Sequence, residues 1–415
     1  MRICLVTETF PPEINGVART LGELSRGLVD RGHELQLVRP NQGKESGQPN
    51  GPWELFLTAG YPIPFYPGLR LGLPAYNRLK TLWRENRPDV VHIATEGPLG
   101  CSALMAARSL GIEVCSSFHT NFHQYSKFYG YAPLTRFAIR FLRAFHNRAA
   151  ATLVPTGDVV ALLREEGFER LDVLSRGVDT ELFSPTRRSE ELRASWGVAS
   201  DELVVAYVGR LAPEKSPDLA MRAFDRVVSG SESGTKVHGL VVGDGPARQE
   251  MEAAMNPELA SRMIFAGMRR GEDLARHYAS ADVLIFPSRT ETFGNVILEA
   301  MASGLPVASY DYAAARLLMK DGEHGRLTEL GDEDAWLAAV ESLTTLPRQE
   351  LGRMGGLART RAESESWSGI VQRFESQLTA VRYRGVPSTS VKSCQSVQNA
   401  AKRGTKAIPG AGASV

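Results

Sequence analysis

The sequence has few cysteines and no long apolar run. Its four cysteines lie far apart and form no C-x-x-C pair: Cys4, Cys101, Cys115 and Cys394. This scatter is typical of free thiols in a reducing cytoplasm and argues against a disulfide framework or a cysteine-bound zinc site. The apolar start at residues 2–6 is too short for a signal peptide, and we see no transmembrane segment. We therefore expect a cytoplasmic protein, with peripheral attachment to the inner face of the cell membrane as an open alternative.

An excess of charge of either sign is also missing. The chain carries 48 Lys and Arg against 47 Asp and Glu, a formal net charge of +1. This balance argues against nucleic acid as a partner, because it gives no overall attraction to a polyanion. The 43% hydrophobic and 23% charged residues are typical of a soluble globular protein, and 415 residues suit two domains better than one.

Short apolar runs alternate with helix-length segments through both halves of the chain. This pattern predicts an α/β protein with two Rossmann-like, doubly wound domains that face a central cleft. The expected N-terminal domain comprises residues 1–184 plus a returning helix at 366–384, because Trp367, Ile370, Phe374 and Leu378 form an apolar stripe. Residues 185–365 form the second domain, and the polar residues 385–415 read as a disordered tail.

The first strand is not followed by a G-x-G-x-x-G loop, which argues against a dinucleotide-dependent dehydrogenase. Gly16 alone begins the next helix. It either lets the backbone approach a phosphate closely or is an ordinary turn glycine. In the second half, Arg210 and Lys215 follow a strand, where they could converge on a diphosphate or form a solvated basic loop. Asp244 follows the next strand, between glycines that allow close approach to a ligand, and a helix-capping role is slightly favoured for it.

Two acidic residues flank the start of a helix expected from about Phe293 to Gly304. Glu291 precedes this helix, either to bind ligand hydroxyls or as a capping acid. Glu299 lies inside it among apolar residues, so it needs partners unless it faces water.

These motifs resemble those of the retaining glycosyltransferase family four of the GT-B fold, over roughly residues 1–384. The resemblance rests on the Glu-x7-Glu pair at 291 and 299, Gly-Arg-Leu-x-x-Glu-Lys at 209–215, Gly-Val-Asp at 177–179 and Gly-Asp-Gly-Pro at 243–246. Similar Phe-His-Thr-Asn-Phe and Ala-Gly-Met-x-x-Gly stretches occur in bacterial diacylglycerol glycosyltransferases, sulfoquinovosyl-lipid synthases and mannosyltransferases of this family.

The resemblance implies a nucleotide-sugar donor and assigns roles to the matching positions. Arg210 and Lys215 would bind its diphosphate, Glu299 its ribose and Glu291 the transferred sugar. Gly16 would let the N-terminal loop close over the donor, and His119 would line the sugar pocket. Donor contacts are also implied for Asp244 and for the residues around the helix start, Phe293, Gly294, Asn295 and Val296.

The expected chemistry needs neither a cofactor nor a metal, because the donor is a substrate and its leaving phosphates can be stabilised by Arg210, Lys215 and a helix N-terminus. The only D-x-D, at Asp332 to Asp334, reads as an acidic helix start. No second carboxylate is evident as a nucleophile, which favours retaining attack on the front face.

The acceptor is less clear from the sequence. Residues 114–157 contain no acidic residue but several bases, of which Lys127, Arg136, Arg140 and Arg143 are membrane or acceptor candidates. A basic, aromatic and amphipathic segment indicates an anionic lipid surface and hence a lipid acceptor such as diacylglycerol. A core helix with a solvated basic face fits equally, and a polysaccharide or small-molecule acceptor is the alternative. A catalytically inactive nucleotide-binding protein is disfavoured, and the sequence predicts no oligomeric state.

Overall fold

The computed structural model describes residues 1–13, 15–42, 51–62, 70–119, 132–230 and 236–384. The expected tail at 385–415 and the candidate Lys127 lie outside these residues. Within them, the N-terminal half contains strands β1 to β9: Arg2–Val6, Glu34–Pro40, Glu54–Thr58, Gly60–Pro62, Arg70–Gly72, Val90–Ile93, Val114–Ser117, Ala151–Val154 and Leu171–Val173. Seven of them form one parallel sheet in the order β3-β2-β1-β6-β7-β8-β9, and β4 pairs with β5.

Among the described residues of the N-terminal half, these strands are connected by the helices α1 (Gly16–Asp30), α2 (Tyr76–Glu85), α3 (Pro98–Ser109), α4 (Ala132–His146) and α5 (Gly157–Glu165). Helix α1 begins where the Asn15 side chain accepts a hydrogen bond from the Ala18 N–H at 2.8 Å, which satisfies one of the free amides of its first turn. Its leucines at positions 21, 24 and 28 are buried against the sheet. The 3.6-residue period of the sequence therefore sets the inner face of this helix.

The second half contains strands β10 to β15: Leu203–Val208, Val237–Val242, Met263–Gly267, Val283–Phe286, Val307–Tyr310 and Gly325–Thr328. They form a parallel sheet in the order β12-β11-β10-β13-β14-β15. Helix α6 (Glu190–Ser195) precedes these strands, and helices α7 to α14 connect or follow them: Pro217–Ser229, Arg248–Ala253, Pro257–Ser261, Gly271–Ala279, Asn295–Ala302, Ala313–Leu318, Glu333–Thr344 and Arg348–Glu363. The chain is thus an α/β protein with two doubly wound, Rossmann-like sheets.

Both sheets change winding direction at a defined point. In the first sheet β1 lies between β2 and β6, and in the second β10 lies between β11 and β13. Chain connections leave such a pair of strands in opposite directions, so a crevice opens at their carboxyl ends, where ligands of open α/β sheets bind. In the second sheet, this crevice lies beyond the carboxyl ends of β10 and β13, and we expect a ligand site there.

The last helix, α15 (Trp367–Arg384), packs on α1 in the N-terminal half. A Cβ atom on Gly27 of α1 would lie 2.4 Å from the Val371 side chain, so the glycine lets the two helices approach closely. The buried Ile370 and Phe374 join the core around β1. The chain thus crosses between the halves twice, and the crossing segments meet at a parallel bridge between Val178 and Ser366.

Candidate functional site

A small cavity lies at the crevice of the second sheet. Its volume is about 80 Å³, and it is bounded by the ends of β10 and β13 and by the start of α11 (Asn295–Ala302). Its described lining consists of Tyr207, Val208, Gly209, Lys215, Phe286, Ser288, Glu291, Gly294, Asn295 and Val296. The structure therefore brings together five of the sequence-predicted donor residues: Lys215, Glu291, Gly294, Asn295 and Val296.

Lys215 and Glu291 form an ion pair across this cavity. Lys215 ends a short 3-10 turn after β10, and Glu291 lies in the loop between β13 and α11. Both side chains are largely buried. Glu291 does not cap the helix, because the residue before α11 is Gly294, with no side-chain capping bond. Its capping interpretation is therefore wrong, and its carboxylate instead balances the lysine charge inside the cavity.

The start of α11 provides the backbone part of the cavity. Gly294 adopts a positive φ of 101°, in the left-handed region that glycine occupies without strain. The helix then begins at Asn295, two residues later than the sequence suggests, and Phe293 is buried in the hydrophobic core instead of lining the cavity. The free amides of a first helical turn and the positive end of the helix dipole favour an anion. This cavity can therefore hold a phosphate group between Lys215 and the helix.

Arg210 does not belong to the described lining of the cavity. Its side chain is 68% exposed and donates a hydrogen bond at 2.8 Å to the carboxylate of Glu214, four residues later in the same loop. The two basic residues of the loop therefore do not converge in this structure. Arg210 would have to leave Glu214 to reach a ligand beside Lys215.

Asp244 and its neighbouring glycines serve loop packing. The Asp244 carboxylate accepts a hydrogen bond from the Gly245 N–H at 2.8 Å, and no capping bond to α8 (Arg248–Ala253) is present. Cβ atoms on Gly243 and Gly245 would lie 1.8 Å and 2.4 Å from the carbonyl oxygens of Gly209 and Leu211. The helix-capping interpretation of Asp244 is therefore wrong. The glycines beside Asp244 let two loops of the protein approach each other, whereas the sequence suggested that they allow the approach of a ligand.

Glu299 is only 8% exposed, so the alternative that it faces water is wrong. It accepts hydrogen bonds from Arg19 at 2.8 Å and from the Tyr278 hydroxyl at 3.1 Å. Arg19 belongs to α1 of the other half, and the sequence offered no signal for this contact. Gly16 also faces the second half, since a Cβ atom there would lie 3.7 Å from the Asn295 side chain.

His119 follows β7 at the carboxyl edge of the first sheet. Neither ring nitrogen has a hydrogen-bond partner among the described residues. Burial first, then the charge of Arg176, holds the pKa of His119 well below its usual value. Arg176 itself is 6% exposed, and burial lowers its pKa to about 10. It donates to the Thr20 hydroxyl and to the Gly16 carbonyl, and it forms no ion pair with any acid in the described ranges. Sequence reasoning missed this residue, although it stands directly before the Gly-Val-Asp motif.

Helix α4 carries the basic candidates of the first half. Arg136 and Arg140 are exposed, and so are Phe137 (72%) and Phe141 (44%), whereas Phe145 is buried. Arg143 donates to the Glu166 carbonyl at 3.0 Å, so it helps to hold α4 on the domain. The outer face of α4 is therefore both basic and aromatic, unlike that of a plain core helix.

The acidic triplet at 332–334 begins a helix. The Asp332 side chain accepts a hydrogen bond from the Ala335 N–H at 2.9 Å and caps α13 (Glu333–Thr344). Over the described parts of the chain, no group of three or more His, Cys, Asp or Glu side chains could hold a metal ion. A search of the same residues for membrane spans finds no helix with the length and apolar character to cross a bilayer.

Two family models match the chain, one on each half. Residues 14–182 match "Glycosyltransferase Family 4", and residues 202–345 match "Glycosyl transferases group 1". Among curated proteins, a GDP-mannose-dependent alpha-mannosyltransferase of Mycobacterium tuberculosis is 32% identical over 387 residues, which is 92% of this chain and 98% of the relative. An alpha-monoglucosyldiacylglycerol synthase of Streptococcus pneumoniae is 27% identical and covers 84% and 79% of the two chains.

The fold is shared with solved structures. The crystal structure of Alr3699/HepE of Anabaena in complex with UDP superimposes with a TM-score of 0.69 at 19% identity, and it covers 92% of this chain and all of the other. The described residues therefore share with this structure a fold of two Rossmann-like domains that face a cleft.

Proposed function

The chain belongs to glycosyltransferase family four, and we propose that it is a retaining, metal-independent enzyme that moves a sugar from a nucleotide-diphosphate donor to a membrane lipid. The observation that carries the proposal is the cavity in which the Lys215 ammonium lies beside the start of α11. The two features together supply positive charge where a diphosphate would leave.

The reaction breaks the bond between the sugar's anomeric carbon and a phosphate oxygen. A new bond forms to a hydroxyl oxygen of the acceptor, and the hydroxyl proton passes to the departing phosphate. Glu291 is the one carboxylate in the described lining, and it is paired with Lys215. This arrangement supports attack from the face that the phosphate leaves, because the described lining offers no carboxylate other than the one that Lys215 already engages.

The positive charge for the leaving group comes from the protein itself. Lys215 approaches as a point charge, and the α11 amides offer hydrogen bonds. Arg210 would add a forked contact after it leaves Glu214. We therefore propose that activity persists after treatment with EDTA.

A lipid acceptor is supported by the outer face of α4. Exposed phenylalanines beside exposed arginines suit the boundary between lipid headgroups and acyl chains. One relative is named for a diacylglycerol product, in agreement with such an acceptor. We accordingly propose peripheral attachment to an anionic membrane surface, with the cleft open towards the lipid headgroups.

The test is a transfer assay with labelled donors and extracted lipids. GDP-mannose is the first donor to try, because the relative from M. tuberculosis is named for it, and UDP-glucose is the second. We expect label in the lipid phase with the donor's anomeric configuration retained, in EDTA as well as with Mg²⁺. Label only in water-soluble oligosaccharide would favour the alternative, a polysaccharide or small-molecule acceptor, and an inverted product would contradict retention.

A further inference from the structure

The Glu299 carboxylate is contacted from both halves of the protein. Its Oε1 atom accepts from Arg19 Nη1 at 2.8 Å, and its Oε2 atom accepts from the Tyr278 hydroxyl at 3.1 Å. Tyr278 lies on α10 (Gly271–Ala279) of the same half, whereas Arg19 lies on α1 of the N-terminal half. Tyr278 therefore contacts the carboxylate in any arrangement of the two halves, whereas Arg19 contacts it only while α1 lies against the second half.

Arg19 is held in this position by its surroundings. Its guanidinium lies over the ring of Phe183, 5.9 Å from the centroid, and this ring is fully buried in the core of the second half. One turn earlier on α1, Gly16 faces Asn295, at the start of the helix that carries Glu299. Cation–π and ion-pair contacts thus fix a side chain that is otherwise 43% exposed.

The two contacts do not use the full acceptor capacity of the carboxylate. An ionised carboxylate has about four acceptor positions, two on each oxygen. Arg19 and Tyr278 occupy one position on each oxygen of Glu299, and no other group among the described residues donates to either oxygen. Two adjacent hydroxyl groups, such as those of a ribose, match this arrangement.

Arg19 also favours the charged form of the carboxylate. Burial raises the pKa of Glu299, and the Arg19 charge and hydrogen bond act in the opposite direction. Without the arginine, the buried group would shift towards its protonated form and lose an acceptor position.

We propose that Arg19 is a positioning residue for the donor ribose: it orients the Glu299 carboxylate from the opposite domain, so ribose recognition is complete only when the two domains are closed. The inference rests on the proposed function, which gives Glu299 to the ribose. The N-terminal domain thereby takes part in nucleotide selection through Arg19, which does not itself contact the nucleotide.

The experiment compares nucleotides with and without the ribose hydroxyls. Dissociation constants of GDP, UDP and their 2′,3′-dideoxy forms are measured by calorimetry for the wild type, Arg19→Met, Arg19→Lys and Arg26→Met. Arg26 is the matched control, because it lies on the same helix and its one ion pair within the described residues is with Glu23 at 3.4 Å. Methionine keeps the length of the side chain and removes its donors, and thermal unfolding verifies that each variant folds.

We expect the wild type to prefer the ribonucleotide over its dideoxy form. Arg19→Met should lose about tenfold of this preference, as for a lost hydrogen bond to a charged group, while the dideoxy form binds equally to both proteins. Arg19→Lys should retain part of the preference, and Arg26→Met all of it. An unchanged preference in Arg19→Met overturns the inference, and so does tighter ribonucleotide binding, which would mean that Arg19 competes with the ribose. A wild type that binds neither nucleotide would instead contradict the proposed function itself.

Discussion

Three basic residues that could serve the donor site each form an ion pair with an acid in this structure. Lys215 pairs with Glu291, Arg19 with Glu299, and Arg210 with Glu214. A donor would therefore replace or share contacts that already exist, and the three pairs differ in burial. The buried Lys215 needs no movement to meet a phosphate, whereas the exposed Arg210 has to turn inwards.

Substitution of the basic residues tests this difference. Lys215→Ala should lower kcat about a hundredfold, because it removes a charge from the leaving group, and Arg210→Ala should do likewise if its guanidinium swings in. Glu214→Ala is the control, since it frees Arg210 without removing it and should leave turnover near normal. The measurement is steady-state transfer with thermal unfolding as a check on folding. Near-normal kcat in Arg210→Ala would restrict the diphosphate contact to Lys215.

Glu8, directly after β1, makes the stability of the protein depend on pH. Burial raises its pKa from 4.5 to about 7, helped by the charge of Glu96 and opposed by hydrogen bonds from the Gly72 and Leu99 amides. Since the folded-state pKa exceeds the unfolded one, ionisation of Glu8 costs stability. The cost is absent below about pH 4.5, grows up to about pH 7 and is fully present above it.

Glu8→Gln should therefore stabilise the protein only at neutral and alkaline pH. The gain over wild type should approach about 3 kcal/mol above pH 7 and vanish near pH 4, from the size of the pKa shift. Urea unfolding at a series of pH values measures it. Glu34→Gln is the control, because Glu34 is well exposed and paired with Arg2 at the surface. An equal gain at every pH would show that ionisation of Glu8 is not responsible.

At the scale of elements, α4 combines two roles. Its inner face carries Phe145 into the core, and Arg143 fastens it to the loop after α5 (Gly157–Glu165). Its outer face shows Phe137 and Phe141 together with two arginines. An amphipathic helix with exposed aromatic and basic side chains is suited to lie in a membrane interface.

Vesicle binding tests the outer face of α4. Arg136→Gln combined with Arg140→Gln should weaken binding to vesicles that contain phosphatidylglycerol by roughly tenfold or more, because each base near an anionic surface contributes about 1 kcal/mol. Added salt should weaken the wild type in the same direction. Co-sedimentation measures both, and hydrolysis of the donor should be unaffected. Arg148→Gln is the control, since Arg148 is exposed beyond the helix and bonds the Ala144 carbonyl. Equal binding of the double variant and wild type would remove the physical support for a lipid acceptor.

At the scale of the whole molecule, the two halves also meet away from the cavity. Asp158 at the start of α5 accepts from the Ala313 N–H at 3.0 Å and from Arg316 at 3.0 Å, both on α12 (Ala313–Leu318). Ala313 has a positive φ of 52°, which is unfavourable for a residue with a side chain. The contact across the domains therefore helps to hold a strained backbone at the edge of the cleft.

Asp158→Ala should shift the protein towards a more open arrangement. Because the Arg316 pair is half exposed, the expected effect is modest, up to about 1 kcal/mol, or a few-fold change in population. Small-angle scattering should show a larger radius of gyration for Asp158→Ala, and the KM for the donor should rise. Asp311→Ala is the control, since Asp311 pairs with the same Arg316 within one half. Equal dimensions for both variants would contradict a role for Asp158 in closure.

The sequence alone determined the class of fold and much of the site. The periodicity of apolar residues and the positions of turn residues are local signals. For this reason the apolar runs predicted the strands β10 and β13 and the loops after them. The Glu-x7-Glu spacing placed Glu291 before a helix and Glu299 inside it. Parallel strands share one carboxyl edge, and for this reason Lys215 and Glu291 could be expected on the same side of the second sheet.

Only the tertiary structure decided how the two halves meet and what each charged group contacts. Arg19 and Glu299 are 280 residues apart, and no local pattern brings α1 against α11. Arg210 pairs with Glu214 and does not join the described lining of the cavity, and the glycines beside Asp244 contact another loop. The Arg19–Glu299 contact depends on how the two halves meet, and the glycine contacts depend on how two loops of the second half pack. Such packing is long-range in sequence, and it sets which charges are buried and must find partners.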